Sequence, residues 1–277
     1  MKATLAGLFV SHLALVGSFA RANTATIDWT QKGVEVNRGI LSTHGIMQAY
    51  ILPDRNAVKT WKYTNPYGTT SRLETWIGKM EPVNDNDNPA VYNWPRFCHW
   101  RMLRFLEDRA AFDQFVDSLG MNRLLLLCYN TAWLESGNPA DPVKNKAEWA
   151  EFAAAAIRAY NGTSGNTKPV PIVELWNEPN LEFFYSGTKE SFFQLYNTAA
   201  IRIKGEFPGV EICGPAVSPA NDPAGYINSF LPVSGPNTDV LSYHTYGESV
   251  DKIVSDINSY VTKFRQIPGK QNGKIIV

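Results

Sequence analysis

Ile172-Val173-Glu174-Leu175-Trp176-Asn177-Glu178-Pro179-Asn180 is an apolar run that turns abruptly polar. In an extended chain alternate side chains share a face. Ile172, Glu174, Trp176 and Glu178 therefore fall on one side, and Val173 and Leu175 on the other. If the apolar pair meets covering helices, the opposite row runs inward and brings Glu178 to the strand's C-terminal end. Pro179 has no N–H for a sheet ladder and helps to end the strand there. A partly desolvated carboxyl group beside a second carboxylate holds its proton to higher pH, as a general acid must.

Outward from this segment, strand-like runs alternate with stretches of helical spacing, the pattern of a parallel sheet covered by helices. Strands are expected at 38–43, 72–80, 124–129, 170–176, 210–214, 240–246 and 274–277. Helices are expected at 106–119, closed by Gly120, and at 147–160, 189–207, 226–231 and 250–264. No Gly-x-Gly-x-x-Gly follows the first strand, which favours a (β/α)8 TIM barrel over a doubly wound dinucleotide-binding sheet. The expected α/β barrel is truncated in its seventh strand, so that the eighth unit would be missing.

The 277 residues suit one large domain. With 26 basic and 26 acidic residues the net charge is zero, so no broad field favours nucleic acid or an anionic membrane, and a neutral substrate fits better. Lys2, an apolar stretch over 3–20 and Ala20-Arg21-Ala22 read as a signal peptide over 1–22, leaving 23–277 as a secreted, extracellular domain. Cys98, Cys128 and Cys213 show no metal-ligand spacing, and buried free thiols are expected. Neither His-Glu-x-x-His nor a paired-His spacing occurs, and no glycine-rich dinucleotide turn, so no metal and no cofactor is expected. Oligomeric state is not legible.

Trp176-Asn177-Glu178-Pro179-Asn180 is similar to the fourth-strand signature of clan A retaining glycoside hydrolases. The stretch Phe192-Phe193-Gln194-Leu195-Tyr196-Asn197-Thr198-Ala199-Ala200-Ile201-Arg202-Ile203-Lys204, followed by Cys213-Gly214-Pro215-Ala216, resembles family 39 of that clan, which includes β-xylosidases and α-L-iduronidases. The resemblance implies a retaining O-glycosidase acting on a carbohydrate partner by two carboxylates about 5–5.5 Å apart. It implies that Glu178 is the acid/base, that Asn177 holds the sugar 2-hydroxyl, and that the nucleophilic Glu stands just beyond Val277. His244 and Tyr246 are implied to bind sugar or to hydrogen-bond the nucleophile.

Trp176 and His44 complete the substrate-binding set, although a lone loop His, like Asn130 at the end of the third strand, is more often an ordinary residue. Glu174 reads as structural, paired with a neighbouring cation such as Lys79. Lys79 is also the nearest match for an Arg that clan members carry at the end of the second strand. Glu248 lies in a Gly-Glu-Ser loop and is a poor substitute nucleophile. The competing reading is a carbohydrate-binding pseudoenzyme without a working nucleophile.

Overall fold

The computed structural model describes residues 43–44, 70–76, 122–131, 134, 137–162 and 169–277. All of them lie in the unit Arg38–Val277. The expected signal peptide, the 106–119 helix, Cys98 and Lys79 fall outside the described residues, and of the first two strands only the Arg72 side chain is described.

Seven strands form one parallel sheet in chain order: β1 (Thr43–His44), β2 (Thr70–Trp76), β3 (Asn122–Cys128), β4 (Ile172–Leu175), β5 (Glu211–Val217), β6 (Val240–Tyr243) and β7 (Lys274–Ile276). Parallel neighbours need a crossover, usually a helix. Helix α1 (Lys146–Gly162) links β3 to β4, α2 (Lys189–Glu206) links β4 to β5, α3 (Pro223–Ser234) links β5 to β6, and α4 (Val250–Arg265) links β6 to β7. Strand-by-strand order, with a helix at each of the four steps from β3 to β7, is the topology expected from the sequence. The boundaries differ: β2 begins two residues earlier than expected, while β4 stops at Leu175 and β6 at Tyr243.

Local chemistry fixes the helix starts. Asn145 accepts from the Glu148 N–H at 3.1 Å while donating to the Glu148 carboxylate at 3.0 Å, a reciprocal cap. Thr188 and Ser249 accept from N–H groups three residues on, at Ser191 and Lys252. Asp222 does the same for Gly225, with Pro223 opening α3.

The two faces of the sheet are packed differently. Val173 and Leu175 join the large core with the small face of α1 (Ala153, Ala156) and with Ala199, Ala200 and Phe192 of α2. On the other face Leu124, Ile172, Cys213 and Val240 form a small apolar layer, with Ile276 against it. Each fully buried large apolar side chain contributes about 1.5–3 kcal/mol. Gly214 lies under a ring: a Cβ there would come 2.5 Å from Tyr196 Cε2. Cys128 and Cys213 are both buried.

Candidate active site

The site begins where β4 ends. Trp176 and Glu178 take left-handed backbone angles, φ 73° and 47°, as does Ala216 (φ 53°) at the end of β5. Such conformations cost about 1–3 kcal/mol each and persist where surrounding contacts dictate them. Those contacts are present: the Trp176 N–H donates to the Leu127 carbonyl at 2.9 Å, and the Glu178 N–H to the Ala216 carbonyl at 3.0 Å. Asn180 ties the following loop to the β5 loop, donating to the Ser218 and Ala220 carbonyls and accepting from the Ser218 N–H.

This kink breaks the expected alternation. Trp176 turns to the helix side, completely buried, with ring centroids 5.5 Å from Tyr129, 6.0 Å from Trp149 and 5.4 Å from Tyr185. Its indole N–H is committed to the Phe184 carbonyl at 3.0 Å. The expectation that Trp176 is a substrate-binding wall is corrected: its ring is a packing element with no face left for a sugar. Asn177 and Glu178, by contrast, both line a cavity of about 600 Å³ at the C-terminal end of the sheet.

Arg72 organises the floor of that cavity. Its Nε donates to Glu174 Oε2 at 2.6 Å and its Nη2 to Asn177 Oδ1 at 3.1 Å. Asn177 Nδ2 in turn donates to the Tyr129 hydroxyl at 3.2 Å. Since Arg72 can only donate, Asn177 must present its oxygen to Arg72 and its amide N–H groups to the other side. Burial alone pushes the Glu174 carboxyl up, but Arg72, then His244, and a Ser242 hydrogen bond outweigh it and hold Glu174 below the usual carboxylate range. Burial, and next the nearby Glu174, push the Cys213 thiol well up. The cation expected from a neighbouring strand to pair with Glu174 is Arg72 of β2.

At the mouth, His244 Nδ1 lies 2.7 Å from Glu178 Oε1, and the Tyr246 hydroxyl donates to the same oxygen at 3.3 Å. Tyr246 also sits 3.2 Å from His244 Nδ1. Partial burial of its hydroxyl end, and next the Glu178 carboxylate, push Tyr246 up. Among the described residues no hydrogen bond reaches Glu178 Oε2. One carboxylate oxygen thus carries both contacts, and the other carries none among the described residues.

Residues 83–264 match the family described as Glycosyl hydrolases family 39. The chain belongs to glycosyl hydrolases family 39. A β-xylosidase of Caldicellulosiruptor saccharolyticus is 30% identical over 204 residues, covering 65% of this chain and 41% of that protein. A β-xylosidase of Geobacillus stearothermophilus is 27% identical over 137 residues, 48% of this chain and 27% of that protein. The chain therefore spans less than half the length of these curated relatives. A monomeric β-xylosidase from Caulobacter crescentus CB15 superposes with a TM-score of 0.63 at 19% identity, over 83% of this chain and 50% of that one. At that identity the likeness shows the fold, a TIM-barrel-like α/β sheet.

In this family 39 chain the described carboxylates lining the cavity are Glu174 and Glu178. Ile276 and Val277, at the end of β7, line it too. Glu248 is held by the Thr245 hydroxyl and lies 3.9 Å from Lys252. Asn130 is buried and holds loops together: its Nδ2 donates to the Asp141 and Pro142 carbonyls, and its Oδ1 accepts from the Thr131 N–H. His44 stands in β1, and its side chain lies outside what is described. Sequence reading missed Arg72, Tyr129 and Phe184 as wall residues.

Proposed function

We propose that this chain carries the catalytic centre of a secreted retaining O-glycosidase that cleaves neutral β-glycosides, β-xylosides first among them. Glu178 protonates the glycosidic oxygen as the bond to the leaving group breaks, then deprotonates the incoming water. Asn177, oriented by Arg72, donates from Nδ2 to the sugar 2-hydroxyl. His244 and Tyr246 hold Glu178 Oε1, so the proton moves through Oε2. The nucleophilic Glu belongs just beyond Val277, at the end of β7, whose last residues already line the cavity. His44 is assigned to the glycone rim. Neither a metal ion nor an organic cofactor enters the reaction.

One observation carries this reading: a left-handed Glu178 clasped through one oxygen by His244 and Tyr246, above an Asn177 whose amide orientation Arg72 dictates. Substrate preference rests on the two β-xylosidase relatives. Glu174 cannot serve as nucleophile while it neutralises Arg72. A carbohydrate-binding role without hydrolysis is the second reading, favoured only in that these two are the described carboxylates in the cavity.

The test is hydrolysis of an activated aryl β-xyloside by the complete reading frame, with Glu178→Ala alongside. The variant should lose far more activity on alkyl than on nitrophenyl xylosides, and azide should restore the latter as glycosyl azide. Equal losses on both substrates without azide rescue would remove Glu178 from the acid/base role. Sugar binding with no turnover in the complete protein would favour the second reading.

A further inference from the structure

Among the described residues the most exposed large apolar side chain is Phe183, 83% open to solvent on the loop between β4 and α2. A single exposed apolar residue needs no explanation, but this one packs against a ring that lines the cavity. Its ring meets that of Phe184 edge to face, centroids 5.0 Å apart at 80°. Phe184 lines the cavity and stacks on Tyr129, centroids 5.9 Å apart and nearly parallel at 8°. Tyr129, Phe184 and Phe183 thus make a continuous aromatic row from the floor to open solvent.

The loop that carries the row is firmly held. Phe184 and Tyr185 N–H groups both donate to the Leu181 carbonyl at 2.9 Å. The buried Trp176 indole grips the Phe184 carbonyl, and the Ser186 N–H donates to the Ala140 carbonyl at 2.9 Å. A fixed apolar surface loses little conformational freedom on binding, so contacts made there are not offset by ordering. Aromatic faces suit the flat, C–H-rich faces of pyranose rings.

We infer that Phe183, continuing the wall made by Phe184, forms a binding subsite for the pyranose ring on the leaving-group side of the scissile bond. The inference rests on the glycosidase reading of Glu178. An acid that protonates the bridging oxygen has the leaving ring next to its own segment, and Phe183 lies five residues beyond Glu178 on that segment. The subsite takes a neutral sugar ring, so the ligand is an oligosaccharide of at least two residues.

Xylose and xylobiose titrated into the 277-residue protein by calorimetry provide the test, since binding does not depend on turnover. Xylobiose should bind more tightly than xylose. Phe183→Ala should weaken xylobiose about three- to tenfold, the scale of one aromatic contact, leave xylose unchanged, and leave Tm unchanged because the side chain is exposed. Phe183→Trp should keep or strengthen xylobiose binding. The same xylobiose affinity in wild type and Phe183→Ala, with xylose still binding, would overturn the subsite while leaving the glycosidase reading intact. Failure of both sugars to bind the folded wild-type chain would overturn that reading and the subsite with it.

Discussion

Glu174 and Glu178 are the same chemical group, four residues apart on one segment, facing one cavity, yet their surroundings give them opposite characters. Glu174 sits in regular strand, wholly buried, against the guanidinium of Arg72 and beside the apolar layer of Ile172 and Cys213. A buried carboxylate must be paired, and the pair fixes it in one state. Glu178 sits past the strand's end in left-handed backbone, with His244 and Tyr246 on one oxygen and, among the described residues, no hydrogen bond to the other. The floor of the site is closed by a buried ion pair, and its mouth leaves one carboxylate oxygen open.

The sharpest way to break this contrast is to delete Glu178, the acid/base of the proposed reaction. Glu178→Ala in the complete reading frame should lower turnover of poor-leaving-group xylosides on the order of 10²–10⁴-fold and leave folding intact, measured by steady-state rates and thermal melting. Removing the paired carboxylate should do the reverse. Glu174→Gln removes the carboxylate that Arg72 bonds and should cost about 3 kcal/mol of stability, the low end for a broken buried pair because the Arg72 side chain keeps 15% exposure.

The same pair predicts a pH dependence with a definite sign. Glu174 is held below its ordinary value of 4.5, so its contribution is fully present above about that pH and is lost as the pH falls through the folded value. Denaturant melts between pH 7 and pH 3 should show wild type losing more stability than an Arg72→Met/Glu174→Leu double variant. A double variant that loses as much as wild type would show that Glu174 is not the group responsible.

How much of this was legible beforehand follows from the range of the interactions involved. The order of strands and helices could be read because apolar periodicity is local. Glu178 could be singled out because five adjacent residues carry its signature. The path of the chain at Trp176 could not: alternation presumes extended backbone, and the φ of 73° there is imposed by Leu127, 49 positions away, and by the aromatic cluster around the indole. The link from Arg72 to Glu174 spans 102 positions and depends on the β2–β3–β4 register. A strand expected over 72–80 puts Arg72 at its first position, whereas β2 runs Thr70–Trp76 and carries Arg72 within it.

Trp176 lies between the two carboxylates and separates packing from binding. Trp176→Phe keeps an aromatic ring but strands the Phe184 carbonyl without its donor. A buried acceptor so orphaned costs about 1–3 kcal/mol, to be read in a denaturant melt. Xylose affinity should hardly move, since the indole does not line the cavity; a large loss of xylose binding with stability unchanged would return Trp176 to the substrate-binding set.

The smallest expected effect tests how the mouth is tuned. Tyr246 is 66% exposed, and its hydroxyl makes the longer of the two contacts to Glu178 Oε1, 3.3 Å against 2.7 Å from His244. Tyr246→Phe removes that donor and keeps the ring, so stability should be unchanged. A single hydrogen bond is worth about 0.5–1.5 kcal/mol, which corresponds to a roughly two- to twelvefold fall in kcat/KM. If Tyr246 acts by holding Glu178, the fall should be steeper for alkyl than for nitrophenyl xylosides, because only the former depend on a well-placed proton. If it acts by touching the sugar, both substrates should lose equally and KM should rise in step. Equal losses would therefore move Tyr246 from positioning the acid to binding the glycone, and leave His244 as the described side chain that holds Glu178 in place.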